Sequence, residues 1–240
     1  KYNEVIFVTG TNGKTSVCSM LRKLYEENGY YVTSNKEGSN MLRGIISTLI
    51  NNPPPPQKIK NVLILEVEEA TMAKLPQLIT PQYIVITNIF RDQLDAYGEI
   101  SRVKNFIKKG ILNSPEATII YNSNDPLVNE IIVDIPNQKY SYCLSKELDN
   151  MFKYEKSLKG ESENISLTNM SPIVNFINSI DHVFSQTVVV SIDNEAIQYE
   201  LNLTGIYNIL NSLAVLTLGK IKNFETEKII IALEKIDPAF

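Results

Sequence analysis

The most constraining stretch lies near the start of the chain: Val5-Ile6-Phe7-Val8-Thr9-Gly10-Thr11-Asn12-Gly13-Lys14-Thr15-Ser16. An apolar run rich in β-branched residues reads as a buried strand. Gly10 and Gly13 then allow a tight turn. From Val17 to Glu27 the apolar residues Val17, Met20, Leu21 and Leu24 recur at helical spacing. A strand, a glycine loop and a helix N-terminus together make an anion site, because backbone N–H groups and the helix dipole both face the ligand. In such a loop Gly10, Thr11, Asn12, Gly13 and Ser16 line the phosphates. Lys14 reaches the β- and γ-phosphates, and the Thr15 hydroxyl is placed for Mg²⁺. The general phosphate-loop pattern has a glycine five residues before Gly13, where this chain has Val8. A chance glycine turn between strand and helix is the plain alternative, and Gly-Lys-Thr at that junction argues against it.

The 240 residues suffice for one large α/β domain or two small ones, and 43% hydrophobic content suits a chain with a real core. A net charge of −4 argues against nucleic-acid binding, which normally needs a basic face. No apolar run is long enough to span a bilayer, and a cytoplasmic setting is expected. Cys18 and Cys143 are too far apart to suggest a disulfide framework or a C-x-x-C zinc site; Cys18 reads as core packing. His182 is the single histidine, which disfavours a His-based triad or metal cluster.

Further along, Tyr30–Thr33 reads as a second strand, and a polar loop, residues 34–40, leads into a helix over Met41–Ile50. That loop is either a capped turn or a substrate or phosphate loop. Pro53 to Pro56 form a stiff surface connection. Val62-Leu63-Ile64-Leu65 is a strand buried on both faces, ending in Glu66-Val67-Glu68-Glu69. Glu66, nearest the strand end, is the candidate Mg²⁺ ligand; Glu68 and Glu69 also suit the first turn of a helix. Strands follow at Tyr83–Thr87, Thr118–Tyr121 and Lys139–Cys143, with helices to about Lys109 and over Leu127–Ile132. Alternation of this kind predicts an α/β fold: a mainly parallel sheet of phosphate-loop type with helices on both faces and ligand loops at its carboxyl edge. Between about 144 and 186 the pattern weakens, and a long insertion is expected there, with a short helix over Pro172–Ile180. Val188–Ile192 and Ala196–Leu203, joined by Asp193-Asn194, read as an antiparallel hairpin. Two helices follow, one entered through Leu203–Asn208 and the last over Glu225–Glu234.

Taken together these motifs resemble the ATP-dependent Mur ligase superfamily. Gly10-Thr11-Asn12-Gly13-Lys14-Thr15 resembles its phosphate loop, and Gly205-x-Tyr207-Asn208-x-x-Asn211 its nucleotide-base motif. Three stretches are most similar to the MurT type, the synthetase subunit of lipid II isoglutaminyl synthase: Asn35–Met41, Glu66–Ala70 and Thr87–Glu99. The resemblance implies that residues 1–240 form a central ATPase domain, with a variable insertion near 144–186 and a C-terminal ligase domain downstream. It implies ATP and Mg²⁺ as cofactors, with Asn208, and also Asn211 or Asp125, beside the adenine or ribose. Lys14 and Gln93 are then catalytic, Asn40 faces the acceptor, and Thr15 and Glu66 hold the metal. The implied reaction phosphorylates the D-glutamate carboxylate of lipid II, and ammonia from a GatD-like glutaminase partner converts the acyl phosphate to isoglutamine. Such an enzyme works in the cytoplasm, at the inner membrane surface where its lipid-linked substrate lies.

The chain also departs from that pattern. MurT proteins commonly carry a four-cysteine zinc ribbon, but no cysteine follows Cys143, so no zinc is expected. Gln93 stands where the other Mur ligases have histidine. Ile107 falls near the position of a carbamylated lysine used by many relatives, with Lys108 out of register. Ala96 replaces a usual arginine, and Asn124 a usual aspartate. Two alternatives stand beside the MurT reading: another Mur-type amino-acid ligase acting on a cell-wall precursor or folate, and a nucleotide-binding regulatory module.

Overall fold

A computed structural model of the chain describes residues 1–35, 38–56, 58–90, 96–144 and 172–236. Its centre is a nine-stranded sheet in the order β2-β3-β1-β4-β5-β6-β7-β8-β9. The strands are β1 (Glu4–Thr9), β2 (Tyr31–Ser34), β3 (Asn61–Glu66), β4 (Tyr83–Ile86), β5 (Thr118–Asn122), β6 (Lys139–Cys143), β7 (Val174–Asp181), β8 (Gln186–Ile192) and β9 (Glu195–Leu201). Neighbours from β2 through β7 pair in parallel, and β7-β8-β9 are antiparallel. The helices are α1 (Lys14–Glu27), α2 (Leu42–Asn51), α3 (Glu69–Met72), α4 (Ala96–Leu112), α5 (Pro126–Ile132), α6 (Ile206–Ile221) and α7 (Thr226–Glu234). The expected mixed sheet, covering helices and hairpin are all present.

Two cores sandwich the sheet, as the period-2 geometry of strands dictates. Ile6, Val8, Val62, Ile64, Val85 and Ile120 point to one face, where they meet α1, α6 and α7. Val5, Phe7, Leu63, Leu65, Ile84, Ile86 and Ile119 point to the other, against Ile45 of α2, Met72 of α3, Ile107 and Ile111 of α4, and Val128 of α5. The helix after β1 therefore lies on the first face, while the helices after its neighbours β3 and β4 lie on the second. Connections that diverge from adjacent strands open a crevice at their carboxyl ends, and open α/β sheets bind ligands there.

One expected element is corrected. Residues 172–180 do not form a helix: β7 runs over Val174–Asp181 and is parallel to β6. Its partner β8 alternates strictly, with Gln186, Val188, Val190 and Ile192 buried. The β8–β9 turn has Asp193 at φ 52° and Asn194 at φ 67°, both left-handed, as a two-residue hairpin with this twist requires. Of the insertion expected near 144–186, β7 occupies Val174–Asp181, and residues 145–171 lie outside the described part.

At the amino edge of the sheet a buried polar cluster ties the first strand to the last helices. Glu4 accepts from the Tyr25 hydroxyl and, at 2.7 Å, from Lys222 Nζ. Lys222 also lies 5.5 Å from the Tyr83 ring centroid, a cation–π contact. Burial by itself would lower the Lys222 pKa, but the hydrogen bond and charge of Glu4 outweigh it and raise the value. Its contribution to stability is therefore complete below the ordinary lysine value of 10.5 and is lost only as pH climbs through the raised one. Lys222→Ala strands a nearly buried carboxylate and should cost about 3 kcal/mol at neutral pH. Urea unfolding checks this: the deficit should persist from pH 7 to pH 9, and a loss under about 1 kcal/mol would show that the pair carries no stability.

Candidate nucleotide site

The loop between β1 and α1 sits in the crevice that the divergent connections predict. Gly10 has φ 127° and Gly13 φ 83°, so both need glycine. Packing imposes the same choice: a Cβ on Gly10 would lie 2.3 Å from Thr87 Oγ1, and one on Gly13 2.4 Å from Asn211 Oδ1. The second contact brings the amino-terminal half of α6 against the loop, so Asn211 joins the phosphate loop although 198 residues separate it from Gly13 (211 − 13). Asn211 is buried.

Asn88, just past β4, grips the loop from the other side. Its Oδ1 accepts from Asn12 N at 2.9 Å, its Nδ2 donates to Asn12 O at 3.0 Å, and its own carbonyl accepts from Thr11 N at 2.8 Å. Phe90 N donates to Thr11 Oγ1 at 3.0 Å. Asn88 is buried, so these bonds are shielded from competing water. Sequence reading assigned it no role.

Lys14 opens α1 and folds back over the loop. Its ammonium donates to Gly10 O at 2.5 Å and Thr11 O at 3.1 Å, and pairs with Glu69 Oε1 at 3.4 Å. Glu69, the first residue of α3, is a second residue that sequence reading passed over as a helix-start carboxylate. Next to it, Thr15 Oγ1 donates to Glu66 Oε2 at 2.9 Å, and Asn40 Nδ2 donates to Glu66 Oε1 at 3.1 Å. Asn35 fixes the end of β3 from below: Glu66 N donates to its Oδ1 and its Nδ2 donates to Glu66 O, both at 2.9 Å. Thr15, Asn40 and Glu66 are therefore brought together as a set. The hydroxyl and carboxylate are hard oxygen donors of the kind Mg²⁺ takes. Among the described residues no group of three or more His, Cys, Asp or Glu side chains is arranged as a metal site.

Asp125 lies at the carboxyl end of β5. One carboxylate oxygen accepts from Ile89 N at 2.8 Å, and the other caps α5 through Leu127 N at 2.9 Å and Val128 N at 3.3 Å. It thereby holds the segment that carries Asn88. Asn208, in the first turn of α6, donates from Nδ2 to Thr204 O at 2.9 Å. The rings of Tyr207 and Phe90 meet edge to face at 5.7 Å, joining the α6 start to the loop after β4. Gln93 lies outside the described residues. Ile107 is core and Lys108 pairs with Asp134 at 2.7 Å, so neither residue supplies a lysine to this edge. Burial pushes the Cys18 thiol far up, with the Glu66 charge adding to it, so Cys18 stays a neutral packing group.

The model of the Mur ligase middle domain matches residues 8–219, the span from the phosphate loop to the end of α6. The chain belongs to the Mur ligase middle domain family. It is 28% identical over 258 aligned residues to the lipid II isoglutaminyl synthase subunit MurT of Streptococcus pneumoniae, an alignment covering 100% of this chain and 58% of that protein. It is 29% identical over 233 residues to the UDP-N-acetylmuramate–L-alanine ligase of Fusobacterium nucleatum, covering 96% of this chain and 42% of that one. Among solved structures, MurF ligase of Thermotoga maritima in complex with ADP superimposes with a TM-score of 0.74 at 16% identity, over 99% of this chain and 49% of that one. This Mur ligase middle domain thus spans about half the length of such relatives.

Removal of the Asn88 side chain should free the loop. Asn88→Ala is expected to accelerate hydrogen exchange at the Asn12 amide by at least about tenfold, since about 1.4 kcal/mol of local protection is lost. Unchanged exchange at Asn12 would show that the loop holds its shape without the clamp.

Proposed function

We propose that this chain is the ATP-binding domain of an amide-forming synthetase of the MurT type. It would activate the D-glutamate carboxylate of lipid II as an acyl phosphate for amidation to D-isoglutamine. The observation that carries the reading is the convergence of Lys14, Thr15, Glu66 and Asn40 at the N-terminus of α1. Phosphoryl transfer asks a protein for positioned phosphates and neutralised charge rather than a covalent nucleophile. Gly10 to Ser16 offer the first through their backbone amides, and Lys14 offers the second. In this reading Asn208 lies beside the adenine or ribose, with Asn211 or Asp125 as a further contact on that side. Thr15 and Glu66 would hold Mg²⁺, which supplies charge neutralisation on the phosphates. Asn40, and Gln93 on the resemblance of its motif, would serve the acceptor side.

In the proposed reaction the carboxylate oxygen takes the γ-phosphoryl group and ADP leaves. Ammonia then attacks the acyl carbon and phosphate departs, forming the amide. A GatD-like glutaminase would provide the ammonia, and a C-terminal ligase domain would close the site. Among the described residues no helix is long and apolar enough to cross a membrane, and the proposed setting is the cytoplasm beside the membrane that carries lipid II. The similarity to an L-alanine-adding ligase supports a second reading, an amino-acid ligase acting on a muramate precursor.

Calorimetric titration with Mg²⁺–ATP tests the nucleotide reading. Lys14→Ala should weaken binding by at least about tenfold, the worth of one charge-assisted hydrogen bond. Equal affinity for wild type and variant would defeat it. Glu66→Gln should raise the Mg²⁺ concentration needed for half-maximal ATP binding. The substrate reading is tested by glutamine-dependent amidation of lipid II, using the encoded protein together with a glutaminase subunit. Transfer of an amino acid to a muramate precursor, with no lipid II amidation, would establish the second reading instead.

A further inference from the structure

The antiparallel arm contributes one residue whose chemistry is out of place in its surroundings. On the inward face of β8 the alternating positions are Gln186, Val188, Val190 and Ile192, all buried. The three aliphatic residues join the core shared with α6. Gln186 occupies the first place in that stripe, where alternation calls for another apolar side chain. It is 0% exposed. Its Nε2 donates to Gly205 O at 3.3 Å, and its Oε1 has no hydrogen-bond partner among the described residues. A buried acceptor left unpaired costs stability, so a purely packing role would favour leucine or methionine here.

The atom that Gln186 reaches is not arbitrary. Gly205 is the N-cap of α6, at φ 92° and ψ 150°, a conformation essentially confined to glycine. Its carbonyl also accepts from Asn208 N at 3.0 Å and Ile209 N at 3.4 Å. One residue earlier, Thr204 O receives the Asn208 side chain. The orientation of the Thr204–Gly205 peptides therefore sets the Asn208 amide, and Gln186 fixes Gly205 from a different element. Because β7 is parallel to β6, the start of β8 returns from the carboxyl edge, the same edge as the phosphate loop.

We infer that Gln186 is a positioning residue for recognition of the nucleotide base, acting through Gly205 on Asn208. The inference rests on the proposed reading of the site as an ATP site. It assigns the arm a part in nucleotide selectivity, in addition to extending the sheet. The amide orientation follows from chemistry: only the NH₂ end can donate to a carbonyl.

Inorganic triphosphate and ATP separate the two halves of the site. Both bind through the phosphate loop, but only ATP carries a base. Gln186→Leu keeps the volume and removes both the donor and the unpaired acceptor. It should leave the melting temperature unchanged or higher. Mg²⁺–ATP should bind about fivefold more weakly or worse, the worth of one hydrogen bond, while Mg²⁺–triphosphate affinity stays at the wild-type value. Gln186→Met serves as a second variant if the first does not fold, with the same expectation. Unchanged ATP affinity, or parallel loss of ATP and triphosphate binding, would overturn the inference while leaving the ATP site itself in place. Failure of the wild-type chain to bind either ligand would overturn the underlying ATP reading, and this inference with it.

Discussion

The paired hydrogen bonds between Asn88 and Asn12 are the contact on which the organisation of this edge depends. A loop with two left-handed glycines has few side-chain restraints of its own beyond Thr11 Oγ1 and the Lys14 ammonium. It keeps one shape only if neighbouring strand ends supply the missing restraints. Asn88 supplies them from β4, with its side chain satisfying both the N–H and the C=O of Asn12. Asp125 in turn holds the peptide after Asn88. On the opposite flank Asn35 pins Glu66 by both backbone groups. Past the ends of β2, β4 and β5, asparagine or aspartate side chains thus serve as backbone braces. The chemistry-bearing groups, Lys14, Thr15 and Glu66, are carried between them.

What was legible in the sequence was local. Gly10 to Thr15 names its own loop, the run at 62–65 is apolar enough to be read as a strand buried on both faces, and those at 83–87 and 118–121 read as further strands. Thr15, Asn40 and Glu66 could be proposed separately, and the sheet order puts them in contact. Asn88 and Asn35 could not be given roles, because their partners lie 76 and 31 residues away and an asparagine after a strand looks like any turn residue. Glu69 was hidden by a sound local explanation, the preference of carboxylates for helix starts. Its pairing with Lys14 depends on where α3 lies across the sheet edge.

The strand mistaken for a helix has a physical cause. Ile173, Phe176, Ile177 and Ile180 follow the i, i+3, i+4, i+7 spacing of an amphipathic helix. In the structure a register shift between Phe176 and Asn178 sets Ile177 outside the regular ladder with β8. A bulge adds one residue to a period of two, and two stretches out of phase by one mimic a helical repeat. Only Val174 and Phe176 on the near side of the bulge are buried, while Ile177 and Ile180 are exposed. The sheet, with β6 on one side and β8 on the other, decides the outcome that local spacing leaves ambiguous.

The Lys14 side chain is only 12% exposed, and a lysine so enclosed needs acceptors whatever else occupies the edge. It has them in Gly10 O, Thr11 O and the Glu69 carboxylate. A polyphosphate reaching the α1 N-terminus would therefore exchange one set of acceptors for another, and net affinity would reflect the difference between them. This arrangement pairs the ammonium with the loop that carries it. The same physical logic runs through Glu66, whose two oxygens accept from Thr15 and Asn40. Both charged groups that a nucleotide would engage are held by short-range partners from different loops and helices. A nucleotide binding at this edge would therefore have to replace these contacts with its own.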